Sequence, residues 1–196
     1  MTARLVSVIG PPAVGKTTLA EWLAEAMPAS FVREDFAGNP FLADSYMGSR
    51  QACLPAQLHY LMSRVGQLSR AGWPAGGVVV SDYGFCQDRI YAAIKLDADE
   101  LALYDQLAER LAKLVVAPSV VIHLDASPAT LQARIAARGR PFEQGMDETF
   151  LSRIRRAYDN IEGELACPVV RVDCDEADLL SAGVRGGLLA QLAAML

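Results

Sequence analysis

Lysine is scarce in this chain of 196 residues, occurring only at Lys16, Lys95 and Lys113. With 18 Lys and Arg against 23 Asp and Glu, the formal net charge is −5. Proteins that grip a nucleic-acid backbone by general electrostatics are basic, so DNA and RNA are not expected partners. Long apolar runs are also missing. The longest stretch without Asp, Glu, Lys or Arg is Gln51–Ser63, 13 residues including His59, whereas a spanning helix needs about 20. Leu5–Gly10 is too short for a secretory signal, and Pro11 and Pro12 interrupt it. The four cysteines (Cys53, Cys86, Cys167, Cys174) show no CxxC spacing, and two histidines add little ligand capacity. Reduced thiols in a cytoplasmic protein, with no zinc site, are the expectation.

What is present suits one globular domain over residues 1–196. Hydrophobic residues make up 52% and charged residues 21%, enough for a sizeable core. Short apolar runs alternate with helical spacing. Strands are expected at Leu5–Ile9, Phe31–Glu34, Val78–Ser81, Val120–Leu124 and Val169–Val172. Helices are expected at Lys16–Met27, Ala56–Ala71, Gln87–Lys95, Asp99–Leu114, Asp147–Leu165 and Leu188–Met195. A further helix opens at Ser127-Pro128, with Ser as cap and Pro in first place, and stops at Gly139. Alternation of this kind predicts an α/β fold with a mainly parallel five-stranded sheet flanked by helices. Ligands then bind beyond the carboxyl ends of the strands.

The first strand runs into Gly10, Pro11, Pro12, Ala13, Val14, Gly15, Lys16, Thr17 and Thr18, which fits GxxxxGK[ST] between a strand and a helix. Glycines let the backbone curl so that its N–H groups face phosphate oxygens, and the helix N-terminus adds partial positive charge. Lys16 reaches the β- and γ-phosphates, and Thr17 can ligate Mg²⁺. Nucleoside triphosphate binding follows, on a P-loop fold; the acceptor does not.

Polar residues elsewhere narrow the acceptor. Asp82 ends an apolar strand, where a carboxylate beside a phosphate loop holds Mg²⁺ or its water shell. Glu34 ends another strand and could accept a proton from an attacking hydroxyl. Gln57 and Arg64 lie seven residues apart, about 10 Å along a helix at about 1.5 Å per residue. Both fall at one margin of the stripe Leu54, Leu58, Leu61, Val65 and Leu68. They are either ordinary polar edge residues or a pocket wall, where Gln suits a nucleobase edge. Arg134 and Arg138 stand one turn apart, with Arg140 and Glu143 just beyond. They read as a solvated face or as charges for phosphoryl transfer, on a short arginine-rich lid at about 139–146.

Together these residues resemble the deoxynucleoside kinases, above all the bacterial deoxyadenosine/deoxyguanosine kinase branch, from Leu5 to Val172. Glu34…Asn39-Pro40-Phe41-Leu42 is similar to the family's E-x₄-NPFL, Gln57…Arg64 to its Q-x₆-R, and Arg134-x₃-Arg138-Gly-Arg140-x₂-Glu143 to its lid. The resemblance implies Glu34 as base for the 5′-hydroxyl, with Lys16, Arg138 and Arg140 on the transferring phosphoryl group. It implies Tyr46 and Glu143 on the sugar, and Gln57, Arg64 and Asp88 at the base. It also implies Arg134 near the phosphates or lid, an adenine site near Asp173–Glu176, ATP and Mg²⁺ as cofactors, and a homodimer. Two features depart from the pattern: Tyr83 stands where the family has Arg, and Asp35 where it has Pro. Arg33 and Arg89 are the cations that could substitute. The alternatives are a nucleoside monophosphate kinase of thymidylate-kinase type and a nucleotide-dependent regulatory or binding protein.

Overall fold

The computed structural model describes residues 2–196. Five parallel strands form one sheet: β1 (Arg4–Ile9), β2 (Ser30–Val32), β3 (Val78–Ser81), β4 (Val120–Asp125) and β5 (Val169–Asp173). Their order is β2-β3-β1-β4-β5. Parallel strands covered on both faces read as unbroken apolar runs rather than alternations. Val79 and Val80 in β3 and Val120, Val121, Ile122 and Leu124 in β4 obey this, all of them buried, while His123 is buried in β4 with Glu162 as its partner. In register, Val6 faces Val80 on one side and Val120 on the other. β1 lies between β3 and β4; the chain passes from β1 outward to β2, back to β3 and then across β1 to β4, so the order reverses there. A crevice forms at such a reversal, beyond the strand ends.

The helices are α1 (Lys16–Ala26), α2 (Leu42–Tyr46), α3 (Arg50–Leu68), α4 (Asp88–Lys95), α5 (Ala98–Ala112), α6 (Pro128–Arg138), α7 (Glu148–Glu162) and α8 (Ala182–Met195). α1 buries Leu19, Ala20, Leu23 and Ala24 in the main core beside Val6, Val8 and Ile122. α6 is capped by Ser127, whose hydroxyl accepts the Thr130 N–H, and stops at Gly139 with φ 68°.

Three elements near the crevice differ from expectation. β2 ends at Val32, so Glu34 lies beyond the strand, its N–H donated to Asp82 Oδ1 at 2.7 Å. α3 begins at Arg50 and carries Pro55 inside its second turn, where the sequence suggests a boundary. α2 was not expected. Five residues are too few to hold a helix alone, and Ser45 Oγ braces this one on the Leu42 carbonyl at 2.8 Å.

Candidate active site

The loop Gly10–Thr18 sits at the sheet reversal. A Cβ on Gly10 would stand 2.2 Å from the Leu124 carbonyl oxygen, at φ +145°. Only glycine lets the loop pass that close to β4. Lys16 Nζ donates to the carbonyls of Gly10 and Pro11 at 2.9 and 2.8 Å. The Val14 side chain is buried in the main core and anchors the loop. Arg134 donates to Val14 O and to Cys174 O, both at 3.0 Å, tying the loop to the turn after β5.

Asp82, directly after β3, joins two strands' worth of machinery. Its Oδ2 accepts the Thr17 hydroxyl at 2.6 Å, and its Oδ1 fixes the Glu34 backbone. A hydroxyl and a carboxylate in contact beside a phosphate loop are hard oxygen donors, which fits Mg²⁺. No group of three or more His, Cys, Asp or Glu side chains among the described residues could hold a metal ion by itself.

The α3 face corrects the helical-wheel reading. Gln57 and Arg64 are not marginal: they are 5% and 4% exposed, while Leu54 and Leu58 are only half-buried. The buried face centres on these two polar residues because α3 packs among α2, α4 and α5 and closes one wall of the crevice. The Arg64 guanidinium lies 4.9 Å from the Tyr60 ring centroid and 5.1 Å from that of Tyr83. It pairs with both Glu34 and Asp88. Asp88 is buried against Arg64 and is not among the residues that line the cavity. Tyr83 is fully buried and donates its hydroxyl to Gln67 Oε1 at 2.7 Å. Of the two candidate substitutes, Arg33 lines the cavity. Arg89 pairs with Asp105 on an exposed face.

Beyond α6, Glu143 is 5% exposed and accepts from both Arg138 and Arg140, the latter at 3.3 Å. Arg140 also covers the Phe36 ring at 4.0 Å. Asp173 lies outside the cavity, its Oδ1 capping the Asp175 N–H at 2.8 Å in the turn after β5.

These groups surround a cavity of about 420 Å³, within the range of small-molecule sites. Six cations line it (Lys16, Arg33, Arg64, Arg134, Arg138, Arg140) against three acids (Glu34, Asp82, Glu143). An acidic protein has thus concentrated positive charge where a polyphosphate would lie. Burial pushes the Lys16 ammonium down to about 8, against the pull of Glu34 and Asp82. Phosphate attracts only the charged form. Nucleotide affinity should therefore fall as pH rises through about 8, by up to about tenfold per further unit. Titration with a non-hydrolysable ATP analogue between pH 7 and 9 checks this; a flat profile would contradict it.

The lining also includes Phe36, Tyr60, Gln87, Tyr91 and Phe142, which the sequence reading did not single out. Tyr60, three residues past Gln57, was the one with a signal, since helical spacing puts it on the same face. Phe36, Gln87 and Phe142 come from loops and short turns with no periodicity to reveal them, and Tyr91 from the middle of α4.

A parallel sheet whose central strand feeds this loop, with a cation-rich crevice beyond it, defines a P-loop phosphotransferase. The sequence profile of the deoxynucleoside kinase family matches residues 6–192. The chain belongs to the deoxynucleoside kinase family. It is 28% identical over 187 residues to a deoxyguanosine kinase of Bacillus subtilis (strain 168), covering 91% of this chain and 90% of that one. It is 28% identical over 178 residues to a deoxyadenosine kinase of Dictyostelium discoideum, covering 87% and 72%. In architecture it is similar to deoxyadenosine kinase from M. mycoides, solved with the products dCMP and dCDP bound. The TM-score is 0.83 at 19% identity, over 98% of this chain and all of that one.

Proposed function

We propose that the protein transfers the γ-phosphoryl group of ATP to the 5′-hydroxyl of a deoxynucleoside, with purines favoured. The observation that carries this reading is that one cavity is lined both by the phosphate loop with Lys16, Arg134, Arg138 and Arg140 and by the Glu34 carboxylate and the buried Gln57 amide. The purine preference draws support from relatives named for deoxyguanosine and deoxyadenosine.

Glu34 takes the proton as the 5′-oxygen bonds to the γ-phosphorus and the bond to the β-phosphate oxygen breaks, releasing ADP. Its backbone is fixed by Asp82 and its carboxylate oriented by Arg64. Lys16, Arg138 and Arg140 offset the charge on the transferring group. Thr17 and Asp82 would hold Mg²⁺, which would supply further charge neutralisation on the phosphates. Gln57 offers a donor and an acceptor to the base; Arg64 borders it, backed by Asp88. Tyr46 and Glu143 meet the sugar. Residues 139–146 act as a lid, and Arg134 braces the phosphate loop against the turn containing Asp173–Glu176, near the adenine. Four free thiols suit the cytoplasm. Exposed Met62 on α3 and Leu103 and Leu107 on α5, helices that pack together, suit a homodimer.

Product detection from ATP and a panel of deoxynucleosides and deoxynucleoside monophosphates tests the reading. Monophosphates should form, fastest from purine deoxynucleosides; turnover of monophosphates alone would overturn it. Gln57→Ala sharpens the test. It leaves the bound base's polar edge without a partner, at about 1–3 kcal/mol. The kcat/KM for the deoxynucleoside should fall about 5–150-fold, with ATP affinity nearly unchanged. Equal losses for both ligands would mean a packing defect instead.

A further inference from the structure

Tyr46 stands in a wall between two cavities. With Met146 it lines both the main cavity and a second one of about 340 Å³. A ring with space on two sides lacks the packing that normally fixes a side chain. Phe142 touches it at 6.0 Å between centroids and Phe150 edge-on at 6.4 Å, but Phe142 rides on the proposed lid. The closest support is Lys95, in the last turn of α4. Its Nζ lies 3.4 Å from the Tyr46 ring centroid and donates to the Ser45 carbonyl at 3.0 Å. One ammonium thus holds both the ring face and the backbone just before it. The end of α4 is itself anchored: Arg50 donates to the Lys95 carbonyl and pairs with Asp97 and Glu100.

We propose that Lys95 is a positioning residue of the deoxynucleoside site, holding the Tyr46 ring in the wall of the acceptor pocket. This rests on the reading that Tyr46 meets the sugar. Lys95 does not itself line the main cavity. Burial pushes its ammonium down to about 8, opposed by Cys53 on α3. The other ionisable groups around it are the Tyr46 hydroxyl, held well above its ordinary value by burial, Arg50 on α3, and Asp147 and Arg153 across the second cavity. Loss of the proton removes the cation from the ring face and weakens the grip.

The test compares Lys95→Met and Lys95→Arg with the parent protein. Lys95→Met should raise the deoxynucleoside KM about 3–30-fold, with the ATP KM and melting temperature near parental values. Lys95→Arg should restore it to within a few-fold. At saturating ATP, so that Lys16 does not intrude, the parent's deoxynucleoside KM should rise above pH 8. It should stay flat in both variants. A readout free of turnover is the ring resonance of Tyr46 in ¹³C-tyrosine-labelled protein, assigned with Tyr46→Phe. It should shift with a midpoint near pH 8 in the parent and hold still in Lys95→Met. An unchanged KM in Lys95→Met, or a Tyr46 signal that does not titrate, would overturn the proposal. Absence of deoxynucleoside turnover in the parent would instead overturn the functional reading, while the Tyr46 signal would still decide the role of Lys95.

Discussion

Glu34→Gln should lower kcat for deoxynucleoside phosphorylation about 10²–10⁴-fold, the range of general-base effects. KM for both substrates should change little, because the proton moves only in the transition state. The substitution is close to isosteric, and the backbone N–H stays on Asp82. The new amide oxygen can still accept from Arg64, which donates to the carboxylate in the parent. What disappears is the capacity to take a proton. Steady-state kinetics on the preferred deoxynucleoside checks this. A variant that turns over within a few-fold of the parent would reduce Glu34 to a structural partner of Arg64.

Arg64→Met should cost stability more than any other single change at the site. Arg64 is 4% exposed and holds two carboxylates, one of which, Asp88, is only 3% exposed. Removing the cation leaves Asp88 buried without its counter-charge. Breaking a buried pair from one side costs about 3–5 kcal/mol, which lowers Tm by roughly 6–20 °C at this chain length. Arg64→Met with Asp88→Asn should recover much of the loss, since the two residues act as a unit. Thermal unfolding of both variants measures this. A single variant that melts with the parent would mean Arg64 is not the keystone of that cluster. Activity lost in Arg64→Met alone mixes unfolding with recognition. Gln57→Ala is the cleaner probe of the base.

The phosphate loop and the sheet were legible because backbone geometry dictates them. Gly10 passes too close to β4 for any side chain, and strands buried on both faces are apolar over most of their length. The α3 face was harder. Its stripe was drawn through the leucines, yet Gln57 and Arg64 are more buried than Leu54 or Leu58. Periodicity finds apolar faces, and a polar wall facing an internal cavity looks like a solvated margin. α8 was read as starting at Leu188, while the helix begins at Ala182 under a Ser181 cap. Gly183, Gly186 and Gly187 thin out the apolar signal in its first turns. Asp88 matched a spacing, but spacing does not reveal that it is buried against Arg64. Glu143 was legible as part of the arginine cluster, though not as the acceptor that both Arg138 and Arg140 share.

The strand order has a consequence for how this enzyme can change. β2, β3 and α3 lie on one side of β1, while β4, β5 and α6 lie on the other. In the proposed reaction the first group carries the choice of acceptor and the second carries the handling of phosphate. The loop after β1, the Thr17–Asp82 contact and Glu143, which follows α6 yet is proposed to meet the sugar, belong to both. Substitutions along α3 can therefore drift toward a new base without disturbing the donor half. Selection experiments for altered nucleoside preference should accumulate changes around Gln57 and Tyr60, leaving the Arg134 bridge as inherited.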